Sequence, residues 1–285
     1  MMTAMASPKA SPPRPILTST ANPRVTAAAA LRDRRARDRS GLTLIDGSRE
    51  VRRALDAGVE ISEAFVCEPL LAGPDARAAL DRLGAIGVPV HATSDRVFAK
   101  IAFGERAEGI VAVARIPPLE LDRLALPAQP LIVVVEAVEK PGNLGAVLRS
   151  ADGAGVDALI AASPRTDLFN PNAIRASAGT IFSVPLAAAE TSAVLAWLRA
   201  RGIRTIATRV GAATPYTEAD LTGPVAVALG AETDGLTDAW SGPDVATVSL
   251  PMLGTADSLN VSVTAAILVY EARRQRGFPR HTSGS

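Results

Sequence analysis

The sequence predicts an α/β protein of two units, the second built on a parallel sheet. Strand-like and helix-like patterns alternate almost throughout its 285 residues, which is the signature of α/β architecture. The strands beyond residue 130, "LIVVVE", "DALIAA", "IRTIATR", "VAVALG" and "VATVSL", are near-continuously apolar, as strands are when helices cover both faces of a parallel sheet. Between the two sets lies "IPPLELDRLALPAQP", where four prolines interrupt both periods. These observations divide the chain into a tail over 1–16, a domain over 17–116, a linker over 117–130, a second domain over 131–277 and a short tail over 278–285.

Each element follows from its local sequence. The opening "MMTAMASPKASPPRP" is rich in Ala, Ser and Pro and holds no continuous apolar core, so it reads as a disordered tail and not as a secretory signal. A helix begins near Asn22-Pro23. After it come the strand "LTLID", the helix "SREVRRALDAG", the strand "ISEAFVC", a helix over 74–86, the short strand "VPVHA", a helix at "DRVFAKI" and the strand "GIVAVAR". In the second domain, helices fill the intervals between the five apolar strands.

Composition removes several classes. No apolar run approaches the ~18 residues that span a bilayer. The single cysteine, Cys67, cannot form an internal disulfide and reads as a small buried hydrophobe; a cytoplasmic protein is expected. The two histidines, His91 and His281, lie far apart, which argues against a histidine-dependent triad.

Net charge is +1, but its distribution is uneven. Residues 1–53 carry eleven basic side chains against four acids. The densest part, "LRDRRARDRS", reads either as a solvated helix face with i,i+4 pairs such as Asp33 with Arg37, or as a contact for nucleic-acid phosphates through Arg24, Arg34, Arg35, Arg37 and Arg39. A second cluster, "EARRQR" at 271–276, adds to the second reading.

The stretch "VVVEAVEKPGNLGAVLRSADGAG" runs a strand into a glycine-containing turn and a helix. It is not a dinucleotide fingerprint, because Gly142 and Gly145 are three apart and the next strand ends at Ser163 without a ribose-binding acid. Nor is it a phosphate loop, since no lysine follows Gly145. Three clusters lie just beyond strand ends, where parallel sheets place ligands: Asn143, Gly145 and Arg149; Gly230, Glu232 and Gly235 in "ALGAETDGL"; and Ser258, Leu259 and Asn260 in "LPMLGTADSLNVSVTAAI". Taken singly, Ser258 reads as a helix cap and Gly235 as a turn residue.

At these residues the chain resembles the SpoU/TrmH branch of the SPOUT methyltransferases. That family's motifs N-x-G-x-x-x-R, G-x-E-x-x-G and a P-M loop ending in S-L-N-[VA]-[SA] stand here as Asn143 to Arg149, Gly230 to Gly235, and Pro251-Met252 with Ser258 to Ser262. The resemblance covers 131–276, and less specifically the first domain, through "TSTANPRV" and "FGERAEGIVAVAR", which look like the family's ribosomal-protein-type substrate-binding domain.

The resemblance implies a deep trefoil knot, a homodimer and S-adenosylmethionine-dependent methylation of an RNA ribose 2′-hydroxyl without a metal. The cofactor would lie against Thr208, Arg209, Leu229, Gly230, Ala231, Glu232, Gly235, Leu250, Met252, Ser258 and Leu259, with glycine permitting close backbone approach. Arg149 would be the essential catalytic residue, with Asn143, Glu232, Ser258 and Asn260 orienting it and the cofactor loops. A guanidinium stays protonated near neutral pH, which favours a phosphate-clamping and charge-stabilising role over a literal base. The extra domain points to 23S ribosomal RNA as substrate, in a housekeeping or an antibiotic-resistance role, with transfer RNA as the alternative. A non-catalytic RNA-binding dimer and a nicotinamide oxidoreductase stay open as other classes.

Overall fold

The ends of the elements show why each segment folds as it does. The structure, a computed structural model, describes residues 15–103, 108–231 and 233–278. The two expected tails fall almost wholly outside the described residues, as do residues 104–107 of "FGERAEGIVAVAR" and Glu232.

Helix α1 (Pro23–Ala30) starts where the Asn22 side chain accepts the Arg24 amide and Pro23 fills the first helical position. The arginine-rich stretch then breaks. The Asp33 carboxylate accepts the Arg35 amide at 2.7 Å and caps a separate helix, α2 (Arg34–Ser40), which Gly41 ends at a φ of 66°. There follow β1 (Leu42–Asp46), α3 (Ser48–Asp56), β2 (Ile61–Val66), α4 (Gly73–Ala85), β3 (Val90–Ala92), α5 (Asp95–Ile101) and β4 (Ile110–Arg115). They form a sheet in the order β1-β4-β2-β3, with β4 antiparallel to both neighbours and β2 parallel to β3.

Residues 116–130 cross to a second sheet, making one short 3-10 turn at Leu121–Arg123. Here the elements are β5 (Leu131–Glu136), α6 (Pro141–Ala154), β6 (Ala158–Ala162), α7 (Pro171–Ala176), β7 (Leu186–Ala189), α8 (Thr191–Ala200), β8 (Arg204–Thr208), β9 (Val225–Leu229), β10 (Val245–Val248) and α9 (Val261–Arg276). All six strands are parallel, in the order β10-β8-β9-β5-β6-β7. Every residue of β5, β6 and β9 is buried, which is the physical content of their unbroken apolar sequence. The edge strand β7 escapes the sequence pattern because "LAAA" holds one large side chain.

The parallel arrangement brings the carboxyl ends of β5, β8, β9 and β10 to one side, and the loops that leave them build the site. One continuous apolar core joins the two sheets, running from Ile45, Val51 and Ile110 to Phe169, Leu144 and Val133. Among the described residues no helix is long and apolar enough to cross a membrane.

Candidate cofactor cleft and catalytic helix

The loops after β8, β9 and β10 enclose a cleft of about 400 Å³. Its floor holds a backbone turn between Ala231 and Gly235: the two amides each donate to the other's carbonyl at 3.1 Å, and Gly235 has a φ of 68°. Gly230 packs flat against this turn. A Cβ there would stand 2.0 Å from the Gly235 carbonyl carbon and 2.2 Å from the Leu236 nitrogen, so only glycine lets the chain approach so closely.

Two anchors fix the turn from outside. Glu136, at the buried end of β5, accepts the Thr237 amide at 2.7 Å and the hydroxyls of Thr237 and Thr191 at 2.9 and 2.8 Å. Burial raises the pKa of this carboxyl, and the donors, led by the Thr237 amide, outweigh burial and hold it below the usual range. Arg209, just past β8, donates to the carbonyls of Leu236 and Thr237 at 3.1 and 2.8 Å and to the Ser241 hydroxyl at 2.9 Å. Its Nε is buried without a partner among the described residues.

The sequence-predicted cofactor residues converge here. Thr208 and Arg209 line one wall, Leu229, Gly230, Ala231 and Gly235 the floor, and Leu250, Met252, Ser258 and Leu259 the side. Glu232 lies outside the described residues. Sequence reasoning misses Val210, Leu236, Val248 and Thr264, which also line the cleft. Their only signal is position, since each adjoins a motif or a strand end without being a defining residue.

The cleft adjoins α6. Asn260 caps α9, its Oδ1 accepting the Ser262 amide and hydroxyl at 2.9 and 2.7 Å, while its Nδ2 donates to Asn143 Oδ1 on α6 at 3.2 Å. The first and third motifs therefore touch. Gly145 lies against α7, where a Cβ would meet the Ala176 Cβ at 2.5 Å and the Ser177 nitrogen at 2.7 Å. One turn further on, Arg149 is exposed. Arg149 and Asn143 do not line the cleft itself; they stand beside it on the helix that Asn260 ties to its rim.

The arginines expected to meet RNA separate into two kinds. Arg24 pairs with Glu63 at 3.3 Å, Arg34 with Asp38 at 3.6 Å, and Arg35 and Arg39 are exposed. Arg37 is not a surface residue. It is 1% exposed, does not pair with Asp33, and instead pairs at 2.6 Å with Asp167, in the loop between β6 and α7, while donating to the Leu31 and Arg32 carbonyls. The reason is the break at Asp33, which turns α2 so that this side chain points inward. The C-terminal cluster is similarly committed: Arg273 donates to Ala154 and Gly155, Arg274 pairs with Glu271, and Arg276 donates to the carbonyls of Leu221, Gln129, Pro130 and Gly223. Its basic charge serves the fold. Among the described residues no three His, Cys, Asp or Glu side chains gather as a set that could hold a metal ion.

Comparison with known proteins agrees with this geometry. Residues 130–270 match the SpoU rRNA Methylase family and residues 22–112 the MRM3-like substrate binding domain. A 23S rRNA (uridine(2479)-2′-O)-methyltransferase of Streptomyces viridochromogenes is 36% identical over 182 residues, which is 61% of this chain and 63% of that protein's length. The crystal structure of an RNA 2′-O ribose methyltransferase superposes with a TM-score of 0.81 at 43% identity, covering 91% of this chain and 98% of that one. The SpoU methyltransferase AviRb of Streptomyces viridochromogenes, solved in complex with AdoMet, superposes with a TM-score of 0.81 at 30% identity, covering 90% of this chain and 98% of that one. With its motifs joined around one cleft and its relatives matched across both sheets, this chain belongs to the SpoU rRNA methylase family.

Proposed function

We propose that the protein transfers a methyl group from S-adenosylmethionine to a ribose 2′-hydroxyl of 23S ribosomal RNA. The observation that carries this reading is the contact of Asn260 with Asn143, which sets the helix bearing Arg149 against the rim of the cleft. The cleft residues suit the cofactor: a floor of backbone at Gly230 that no Cβ can obstruct, and apolar Leu250, Met252 and Leu259 for a base. The solved relative that carries AdoMet and the relative named for 23S rRNA support cofactor and substrate.

When bound, S-adenosylmethionine would supply an electrophilic sulfonium methyl to the ribose oxygen, leaving as S-adenosylhomocysteine, with the hydroxyl proton passing to solvent water. The chain's part is alignment. The Arg149 side chain is exposed on α6 and placed to grip a phosphate of the target nucleotide, orienting the hydroxyl and stabilising its developing negative charge. Asn143 and Asn260 fix the distance from that arginine to the cleft. Asp234 and Asp257 at its edge favour a cationic ligand.

The same reading includes a second copy of the chain. Leu259, Val263 and Tyr270 are each more than a third exposed along α9 and its entry, and Leu253 nearby is 99% exposed, an apolar strip that suits a symmetric homodimer. It also includes a trefoil knot, in keeping with the return of α9 from the β10 edge onto α6. Residues 17–116 serve as the RNA-binding unit, 131–277 as the catalytic unit, and the cytoplasm as the setting.

Incubating the protein with methyl-tritiated S-adenosylmethionine and either 23S rRNA or transfer RNA tests the reading. Label in 23S rRNA that resists alkaline cleavage at one nucleotide is expected. Label in transfer RNA alone, or cofactor and RNA binding without transfer, overturns it.

A further inference from the structure

We infer that Arg37 is a positioning residue for methyl transfer, acting through α7 on the catalytic helix. This rests on the RNA-methylation reading. Residues 167–179 are gripped on one face by the N-terminal domain at four places. Arg37 forks across Asp167, with Nε and Nη2 both 2.6 Å from Oδ2. Thr43, fully buried, donates to the Phe169 carbonyl at 2.7 Å. Arg175, on α7, donates to the Phe103 carbonyl at 2.7 Å and stands 3.5 Å from Asp46. Arg53 donates to the Ala178 carbonyl at 2.9 Å, where the chain turns left-handed, and a Cβ on the next residue, Gly179, would be 3.0 Å from the Glu50 Cα.

The other face of the same segment is packed on α6 with no slack, because Gly145 admits no Cβ against Ala176 and Ser177. Close-packed interfaces transmit displacement instead of absorbing it. A shift of the N-terminal domain therefore moves α6, and Arg149 with it. Arg37 is the most deeply buried of the charged side chains in this grip. Its Nη1 holds the Leu31 and Arg32 carbonyls at 2.7 and 3.0 Å, so one guanidinium locks the α1–α2 junction to the segment that backs the catalytic helix. RNA held by the N-terminal domain is thereby presented at a fixed offset from Arg149.

The test compares Arg37→Gln, Arg37→Lys and Asp167→Asn with the wild type, assayed well below their melting temperatures. For Arg37→Gln and Asp167→Asn, kcat on RNA is expected to fall at least tenfold, with RNA KM, its salt dependence and S-adenosylmethionine affinity all within about twofold. Arg37→Lys, which keeps the charge but cannot fork, recovers only part of the loss and carries the test if Arg37→Gln does not fold. Wild-type kcat in the variants overturns the inference and leaves a pair that only stabilises. A raised KM with a flatter salt dependence for Arg37→Gln, and tighter RNA binding for Asp167→Asn, also overturns it in favour of direct phosphate contact. Amide hydrogen exchange separates this from failure of the function itself: both variants should exchange faster across 167–179 and α6 and unchanged across 204–236, whether or not the wild type transfers methyl groups. Unaltered exchange in α6 sinks the linkage.

Discussion

Asn260 donates its side-chain amide to Asn143 Oδ1 at 3.2 Å while its own Oδ1 caps α9. The two jobs use different atoms and can be separated. Asn260→Asp keeps the cap and loses the donor, so unfolding free energy should stay within about 0.5 kcal/mol of wild type while methyl transfer falls at least tenfold. Asn260→Ala loses both and should cost about 1 kcal/mol as well. Urea denaturation and a transfer assay on both variants decide it, and equal activity of Asn260→Asp and wild type would detach the contact from function.

Gly230→Ala should abolish tight cofactor binding. The new Cβ would fall 2.0 Å from the Gly235 carbonyl carbon, and it is backbone, not a flexible side chain, that must yield. Overpacking of this kind costs about 1–3 kcal/mol, here directed at the cleft floor. Calorimetry with S-adenosylmethionine should show at least a tenfold loss; unchanged affinity would mean that the cofactor lies elsewhere.

Arg149→Ala should remove methyl transfer and leave S-adenosylmethionine affinity within a few-fold. The side chain is exposed on α6 and does not line the cleft, so its partner is assigned to the nucleotide. A parallel collapse of cofactor binding would show that it reaches the cofactor after all.

Replacing Arg34, Arg35 and Arg39 together with Gln should weaken RNA binding and flatten its salt dependence by roughly 0.7 to 0.9 in log–log slope for each phosphate that is no longer neutralised. Arg37 is left intact because it is buried. RNA affinity measured at three salt concentrations decides between an RNA-binding face and a solvated one; an unchanged slope would favour the latter.

Asp46 gives the fold a pH dependence of unusual sign. Burial pushes its carboxyl up from 3.8 to about 6, against the Phe103 amide and Arg175 and helped by Glu108 and Glu50, and its Oδ1 has no partner among the described residues. A folded pKa above the unfolded one means the native state binds the proton more tightly, so stability rises as pH falls from above 6 toward 3.8. This group alone should add roughly 1–1.5 kcal/mol at pH 5 relative to pH 8. Denaturation of wild type and Asp46→Asn at both pH values should show the increment only in wild type, and an increment of equal size in both would assign it to another group.

Sequence and structure diverge where the deciding partner is distant. The strands β5, β6 and β9 are legible because burial on both faces leaves an unbroken apolar run, and the cleft is legible because its close approaches demand particular residues at Gly230 and Asn260. The arginines of α2 fit the helical face of a single helix, whereas one hydrogen bond from the Arg35 amide to Asp33 makes α2 a helix of its own. The burial of Arg37 depends on Asp167, 130 residues away, and no local pattern announces such a pairing. The Arg273 and Arg276 guanidinia, surface charge by sequence alone, are spent on backbone carbonyls that only the folded chain brings near.

The hold of Arg276, the last residue of α9, on the carbonyls of Gln129 and Pro130 has a consequence for biosynthesis. The first strand of the second sheet leaves the ribosome long before β9, with which it pairs at Leu131 and Val225, and before the helix that clasps its entrance. Such distant pairings are slow to form. A nascent chain can thus complete its N-terminal sheet early, yet it acquires a cofactor cleft only after α9 has emerged. A ribosome stalled within that helix would carry a chain with a folded N-terminal sheet and no closed cleft.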